Sequence, residues 1–134
     1  MSHVQAQPVT PHVGQTARRS RIVAARDIDL FTAMTGDRNP LHRDPKIARM
    51  AGFPKPILHG LCSYGTACRA VISTVCKYDP TRITSFDVRF SSPVYPGETI
   101  VTEMWVDGNV VSYRSRLKER DVVVLNNGKC TIAN

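Results

Sequence analysis

The sequence lacks any apolar run near the ~20 residues that are needed to span a bilayer. The stretch from Met1 to Gly14 also lacks the apolar region of a secretory signal. The final residues, 131–134, do not form a peroxisomal targeting tripeptide. These absences predict a cytoplasmic protein that has no membrane partner.

Cysteine pairs at metal-binding spacing are also missing. The four cysteines stand at positions 62, 68, 76 and 130, and no two of them form a Cys-x-x-Cys motif. Dense cysteine frameworks are typical of small secreted domains, whereas free thiols are typical of reducing compartments. We therefore predict free thiols and no disulfide framework.

Acidic residues are few: 11 Asp and Glu stand against 18 Lys and Arg, which gives a formal net charge of +7. A basic surface attracts nucleic acid, anionic membranes or phosphate-bearing ligands. The densest basic cluster, Arg18 to Arg21, is too short for a nucleic-acid-binding tract. Nucleic-acid binders also interleave exposed aromatic and basic side chains, and most aromatic residues here fall at positions predicted to be buried. We therefore expect no nucleic-acid partner, and the charge suits a phosphate-rich ligand.

The length of 134 residues predicts a single domain. Residues 1–13 contain two prolines and few large apolar groups, which predicts a flexible arm ahead of a domain at 14–134. An edge strand is predicted within residues 13–25.

Two short helices are predicted before residue 60. The first has Asp27 as its N-cap and ends at Gly36, and the second is capped by Asp44 and ends at Gly52. In the first helix, the apolar residues at helical spacing are Ile28, Phe31 and Met34.

A long helix is predicted from Gly60 to about Lys77. Its apolar stripe consists of Leu61, Tyr64, Cys68, Val71, Ile72 and Val75. The small residues that would let a sheet approach closely are Ser63, Gly65, Ala67 and Ala70. Alternating apolar and polar residues from 86 onward predict an antiparallel meander, with a hairpin at Asp107–Asn109. Residues 126–128 predict either a second turn or a bulge, and we favour the bulge. One long helix followed by a meander predicts an α+β fold, with the helix across one face of the sheet.

Reactive side chains are concentrated in the loop between the two short helices, Thr35-Gly36-Asp37-Arg38-Asn39-Pro40-Leu41-His42. Pro40 interrupts helical structure, so Asp37 and His42 lie on an irregular loop that can direct both toward one small volume. A carboxylate and an imidazole can hold one water and move its protons near neutral pH, with Asn39 orienting either partner. The alternative is a purely structural loop, in which Asp37 caps Asn39 and His42 binds the backbone.

His59 and Gly60 stand directly before the long helix. The first N–H groups of a helix have no internal partner and carry partial positive charge, and Gly60 has no side chain to keep a ligand oxygen away. This arrangement predicts an oxyanion hole; the alternative is that the glycine only fits a tight helix entry. A metal site is a further alternative, from His42, Asp44, His59 and Cys62. Their spacing matches none of the standard zinc patterns, and we predict no metal.

The loop resembles the signature of the MaoC-like, or hydratase-2, family of (R)-specific enoyl-CoA hydratases. The matching segments are Thr35-Gly36-Asp37-x-Asn39-Pro40-Leu41-His42-x-Asp44-Pro45, Ala51-Gly52-Phe53-x-Lys55-Pro56-Ile57-Leu58-His59-Gly60-Leu61-Cys62, Arg89-Phe90-x-x-Pro93-Val94-Tyr95-Pro96-Gly97 and Thr102-Glu103-Met104-Trp105. The resemblance covers about residues 14–133 and is strongest to the hydratase-2 domain of peroxisomal multifunctional enzymes.

The resemblance implies a single hot-dog fold, in which an antiparallel sheet wraps the long central helix. It also implies the roles of five residues: a catalytic pair of Asp37 and His42, support from Asn39, a thioester-binding N–H at Gly60, and an acyl-site wall at Phe90. The implied activity is hydration of trans-2-enoyl-CoA to (R)-3-hydroxyacyl-CoA in fatty-acid β-oxidation, with no metal or redox cofactor. A peroxisomal location is implied by the resemblance alone.

The peroxisomal enzymes of this family carry two hot-dog repeats in one chain, whereas this chain has one. It should therefore resemble the short bacterial members, in which two subunits form the double unit, and we expect a homodimer. The alternatives are a hot-dog thioesterase, a dehydratase acting on a carrier-linked 3-hydroxyacyl group, and a non-catalytic acyl-CoA binder. A non-catalytic binder is expected to have lost Asp37 or His42, and both are present.

Overall fold

The computed structural model describes residues 16–133, and the predicted arm at 1–13 lies outside them. The strands are β1 (Thr16–Ile22), β2 (Ile83–Phe90), β3 (Thr99–Asp107), β4 (Val110–Leu117) and β5 (Val122–Ile132). They form one antiparallel sheet in the order β1-β3-β4-β5-β2, so β1 is an edge strand, as predicted. The helices are α1 (Ala25–Thr35), α2 (Pro45–Met50) and α3 (Gly60–Val75), with 3₁₀ turns at Pro40–His42 and Pro80–Arg82. The predicted α+β class is confirmed.

Helix α3 packs its small side chains, rather than its largest apolar ones, against the sheet. Its buried residues are Ser63, Ala67, Ala70 and Val71. The predicted stripe was wrong at Leu61, which is 64% exposed, and Gly65 also faces solvent. A helix that lies close to a sheet has room only for short side chains along the line of contact, so bulky residues fall at its flanks. The helix ends at Val75, before the predicted Lys77, because Lys77 and Tyr78 have positive φ angles of 51° and 65°.

None of the helices within residues 16–133 is long and apolar enough to span a membrane. The longest of them, α3, has 16 residues.

The start of α1 differs from the prediction. The N-cap is Ala24, and Asp27 lies one turn inside the helix, where its carboxylate accepts a hydrogen bond of 2.8 Å from the Ala24 N–H. The carboxylate thus caps the helix from the third helical position, as in a capping box. Met34, which was predicted to lie on the apolar face of this helix, is 81% exposed.

Strand β5 contains the predicted bulge. Tyr113 of β4 lies opposite Gly128, while Ser115 lies opposite Leu125, so β5 has one more residue than β4 between these two pairs. Asn127 accommodates the bulge with φ of 53°. A Cβ on Gly128 would lie 2.4 Å from the Tyr113 carbonyl oxygen, so only glycine fits there.

Among residues 16–133, His59 is one of the largest fully buried side chains, and it lies among apolar ones. The largest fully buried side chains include Ile100, Met104, Leu117, Leu125 and His59. Burying an apolar side chain of this size contributes about 1.5–3 kcal/mol, whereas a buried imidazole destabilises the fold unless it is hydrogen-bonded. His59 therefore requires a separate explanation, and it lies beside the predicted loop.

Candidate active site

The loop that follows α1 is held by its own side chains. Gly36 has φ of 78° and ends α1. The Asp37 Oδ1 then accepts a hydrogen bond of 3.2 Å from the Asn39 N–H, and the Asn39 Oδ1 accepts one of 3.0 Å from the Leu41 N–H. These two side chains direct the chain into the 3₁₀ turn that ends at His42. Asn39 therefore acts on the shape of the loop, through one oxygen and one N–H.

His42 is anchored through one ring nitrogen. Its Nδ1 lies 2.9 Å from the carbonyl oxygen of Ile57, in the segment before α3. A carbonyl oxygen only accepts, so Nδ1 carries the hydrogen and Nε2 keeps a lone pair in the neutral ring. Both hydrogen bonds of the structural alternative are thus present, at Asp37 and at His42. They leave the second Asp37 oxygen and the His42 Nε2 available for chemistry.

His59 lies against this pair, although the sequence predicted it only as a ligand of the metal alternative. Its ring stacks on that of His42 with centroids 3.9 Å apart and an interplanar angle of 26°, and Phe31 covers it at 4.7 Å. Only 1% of His59 is exposed. The one available signal was its place at the N-cap of α3, where a serine, threonine, aspartate or asparagine is usual and where His59 gives no side-chain cap.

The protonation of His59 follows from its partners. Its Nε2 lies 3.3 Å from the backbone oxygen of Asp37 and 3.4 Å from the Thr32 Oγ1. Because the Asp37 carbonyl can only accept, Nε2 carries the hydrogen. The other nitrogen, Nδ1, is buried and has no partner within residues 16–133. Burial and the neighbouring His42 ring lower the pKa of His59 below its ordinary value, so the ring is held neutral.

Asp37, His42 and His59 form a compact donor group. One carboxylate oxygen and one nitrogen of each ring lie within 4.8 Å of one another. A separation of this size lets one water bridge a carboxylate and an imidazole. The group does not fit a metal as it stands, because an imidazole binds a metal in its ring plane at about 2.0–2.1 Å. Two stacked rings inclined by 26° have planes that do not converge at that distance.

The other metal ligands considered from the sequence are not in this group. Asp44 instead caps α2, accepting a hydrogen bond of 2.9 Å from the Lys46 N–H. Cys62 is half-buried, and burial raises the pKa of its thiol. The four-ligand alternative is therefore not assembled.

Gly60 and Phe90 meet at a second, apolar part of the site. A cavity of about 390 Å³ opens beside the first turn of α3, with Phe53, Ile57, Leu58, Val94 and Leu125 among its lining residues. A Cβ on Gly60 would lie 3.3 Å from the Phe90 ring, and Phe90 is 54% exposed. The backbone of Gly60 is exposed, and no side-chain cap occupies the first N–H groups of α3.

One pair of consecutive residues links the polar and apolar parts. His42 lines a separate cavity of about 340 Å³ that also contacts Arg43 and Lys55, and neither Asp37 nor His42 lines the apolar cavity. His59 stacks on His42, and its peptide bond leads directly into Gly60. The five predicted residues thus fall in two neighbouring groups, joined through a residue that was not among them.

Comparisons with known proteins place the chain in one family. The family model described as a MaoC like domain matches residues 6–128. The chain is 52% identical to the peroxisomal enoyl-CoA hydratase 2 of Arabidopsis thaliana over 96 residues, which are 72% of this chain and 31% of that protein. It is 47% identical to the peroxisomal multifunctional enzyme type 2 of Mus musculus over 94 residues, 70% of this chain and 13% of that one. The chain thus spans about a third or less of the length of these two relatives.

Two solved structures share the fold. A MaoC-like dehydratase from Phytophthora capsici superposes with a TM-score of 0.84 at 38% identity, over 100% of this chain and 46% of that one. The R-hydratase PhaJ1 from Pseudomonas aeruginosa superposes with a TM-score of 0.73 at 28% identity, over 92% of this chain and 83% of that one.

Proposed function

Because the chain belongs to the MaoC-like domain family, as its match over residues 6–128 shows, we propose that it catalyses (R)-specific hydration of trans-2-enoyl-CoA to (R)-3-hydroxyacyl-CoA and the reverse reaction. The predicted hot-dog fold is confirmed by the sheet order and by the solved structures that share it. The observation that carries the proposal is the placement of the Asp37 carboxylate and the His42 imidazole within 4.8 Å of each other, next to the start of α3.

The polar pair activates water. A water between Asp37 and the His42 Nε2 loses a proton to the pair as its oxygen bonds to C3 of the substrate. The pair returns a proton to C2 on the same face, so it ends in its starting state. The Nδ1 hydrogen bond to Ile57 fixes which nitrogen of His42 faces the water.

The start of α3 stabilises the negative charge that develops on the thioester oxygen. An N–H group at a helix N-terminus is a preorganised donor in the partly positive end of the helix dipole. Gly60 supplies that N–H without a side chain in the way, and Phe90 beside it forms a wall for the acyl chain. Hydration breaks one O–H bond of water and the C2–C3 π bond, forms one C–O and one C–H bond, and transfers no net electrons, so the proposed reaction needs no redox cofactor.

A second copy of the chain is proposed to complete the site. The sheet has two edge strands, β1 and β2, and unpaired edges are usually covered. Phe90 at the end of β2, with Leu61 and Met34 on the neighbouring helices, leaves large apolar groups exposed near the site. The Phytophthora chain, of which this chain covers 46%, has room for a second unit of this size. The cytoplasmic location stays a proposal beside relatives that are named as peroxisomal.

The dimer is tested by light scattering at assay concentration, paired with activity against dilution. We expect a two-fold assembly whose activity per subunit falls as it dissociates. A stable monomer with undiminished activity per subunit would remove the second copy from the proposed site.

The activity is tested with crotonyl-CoA and trans-2-decenoyl-CoA. We expect loss of the enoyl absorbance with the thioester intact, and an (R) product by chiral analysis. The variant Asp37→Asn serves as the inactive control. An (S) product would overturn the proposed stereochemistry, and release of free CoA without hydration would identify a thioesterase.

A further inference from the structure

A further cavity, of about 400 Å³, lies between the edge strand β1 and helix α3, outside the polar pair and the apolar cavity. Its cationic lining comes from Arg19 and Arg21 on β1 and from Arg69 on α3. None of the described residues that line it is acidic. Two separate elements thus place guanidinium groups around one concave surface, which we call the arginine groove.

Within the described residues, two of the three guanidinium groups of the arginine groove have no carboxylate partner. Arg21 is paired with Asp27 at 3.3 Å. Arg19 donates from Nε to the Thr74 Oγ1 at 3.0 Å, and Arg69 is exposed. Within residues 16–133, neither Arg19 nor Arg69 has a carboxylate partner. Like charges around one cavity repel each other, and an anion between them would relieve that repulsion.

The guanidinium groups supply hydrogen-bond donors to a ligand in the groove. The hydroxyls of Thr66 and Ser73 already donate to carbonyls of α3, at 2.9 and 3.1 Å. Arginine presents planar, forked N–H groups that match phosphate oxygens in pairs. The bond from Arg19 to Thr74 holds that side chain in place before any ligand arrives.

The position of the groove relates it to the active site. Arg69 is nine residues beyond Gly60 on the same helix, which is about 13 Å along the axis at a rise of 1.5 Å per residue. In an acyl-CoA, the pantetheine arm holds the nucleotide phosphates well away from the thioester. When the thioester of an acyl-CoA lies at Gly60, its phosphate groups lie far from Gly60. The arginine groove is also displaced from Gly60 along α3.

We infer that the arginine groove binds the phosphate groups of a nucleotide, supplied by the CoA moiety of the substrate or by a free nucleotide. The first source rests on the proposed function. The binding itself does not, because it is measured without turnover.

Binding is tested by calorimetric titration with adenosine 3′,5′-bisphosphate, and with adenosine as the phosphate-free control. We expect wild-type protein to bind the bisphosphate and not adenosine. Arg69→Gln should raise Kd about tenfold, since a charge-assisted hydrogen bond is lost, and Arg19→Gln should raise it by a similar factor. Arg49→Gln on α2 is the matched control, because it removes an exposed arginine outside the groove and should leave Kd unchanged.

The source of the phosphate is tested by kinetics. If CoA supplies it, Arg69→Gln raises KM for crotonyl-CoA with kcat unchanged, and leaves kcat/KM for the phosphate-free crotonyl-N-acetylcysteamine unchanged. If a free nucleotide supplies it, the bisphosphate binds without competing with crotonyl-CoA. The inference is overturned if wild-type protein does not bind the bisphosphate, or if Arg69→Gln and Arg19→Gln bind it as wild-type does. An inactive protein that still binds it through Arg69 would refute the hydratase proposal alone.

Discussion

Two buried ionisable side chains in this protein have opposite surroundings. Glu103 on β3 is 4% exposed and is surrounded by arginines: Arg114 at 2.8 Å, Arg116 at 3.3 Å and Arg18 at 3.7 Å. His59 is 1% exposed, and one of its nitrogens has no partner among residues 16–133. A buried polar group that is fully paired contributes to the fold, whereas one that is left unpaired needs another reason to be there. The comparison therefore separates a structural cluster on the sheet, around Glu103, from a cluster at the start of α3 for which we propose a functional role.

The sharpest way to separate the two clusters is to remove the reacting groups. Asp37→Asn and His42→Gln are each expected to lower kcat by about 10²–10⁴. Asp37→Asn should change Tm little, because Asp37 is exposed and Asn keeps an oxygen for the Asn39 N–H, whereas His42→Gln also loses the stack on His59 and should lower Tm. The double variant should lose little more than either single one, since the pair acts as a unit. Initial rates with crotonyl-CoA and thermal melts measure both effects.

Asp44→Asn is the matched control for these variants. It changes a carboxylate in the same segment that caps α2, so it should lower stability slightly and leave kcat unchanged. Near-wild-type rates for Asp37→Asn, with a normal Tm, would contradict the assignment of the pair.

The next effect is expected at Gly60. Gly60→Pro removes the N–H assigned to the thioester oxygen and should lower kcat by about 10²–10³. Proline is favoured at the first position of a helix, and His59, with φ of −59° and ψ of 133°, already has the backbone that precedes a proline.

Gly60→Ala separates the N–H from the loss of space. It keeps the N–H but adds the same Cβ, 3.3 Å from the Phe90 ring, so it should retain most of the activity that Gly60→Pro loses. Equal rates for the two variants would show that the N–H does not act in the reaction.

His59→Phe tests the unpaired member of the comparison. The variant keeps an aromatic ring against His42 but loses the hydrogen bond to the Asp37 carbonyl, and we expect kcat to fall by up to about tenfold. It should also change the pH dependence of stability. The unfolded imidazole has a pKa near 6.5 and the folded one a lower pKa, so the unfolded wild-type chain binds a proton first as the pH falls. The unfolding free energy of wild-type therefore decreases below about pH 6.5.

The variant lacks this titrating group, so its unfolding free energy minus that of wild-type should increase as the pH is lowered from about 8 to about 5. Urea denaturation at the two pH values measures the difference. A constant difference would mean that His59 is not held neutral in the folded protein.

The smallest effect is expected at Glu103. Glu103→Gln removes one charge from a paired cluster, and the arginines around it stay partly exposed and can be hydrated. We expect a loss of about 1 kcal/mol in unfolding free energy, with no change in kcat. A change in kcat for Glu103→Gln, without a change in the urea midpoint, would show that the Glu103 cluster acts in catalysis and not in stability.

Local sequence predicted the parts of this fold that local chemistry determines. Pro45 after Asp44 marked the start of α2, and Asn126-Asn127-Gly128 marked the bulge, because cap and turn residues act over a few positions. The sequence was less informative wherever burial depends on distant partners. Leu61 and Met34 looked like core residues, yet both are exposed, because the sheet and the neighbouring helix decide which side of each helix is covered.

The same limit applies to the site. Asp37 and His42 could be placed on one loop from Pro40 alone. The stack of His59 on His42, beneath Phe31, depends on how the segment before α3 packs against α1, and no spacing in the sequence carries that information. The roles of Asp37, Asn39, His42, Gly60 and Phe90 stay predictions, which the variants above are designed to test.

The bulge at Gly128 has a consequence for how this protein tolerates mutation. A side chain at position 128 would collide with the main chain of the neighbouring strand at 2.4 Å, and main chain cannot move aside as a flexible side chain can. Asn127, one position earlier, needs only a residue that accepts a positive φ. A library randomised at both positions and selected for folding should therefore retain asparagine, aspartate and glycine at 127 but glycine alone at 128. Any slip of β5 against β4 that brought another residue to this position would place its Cβ against the Tyr113 carbonyl oxygen, so the clash also fixes the register of the two strands.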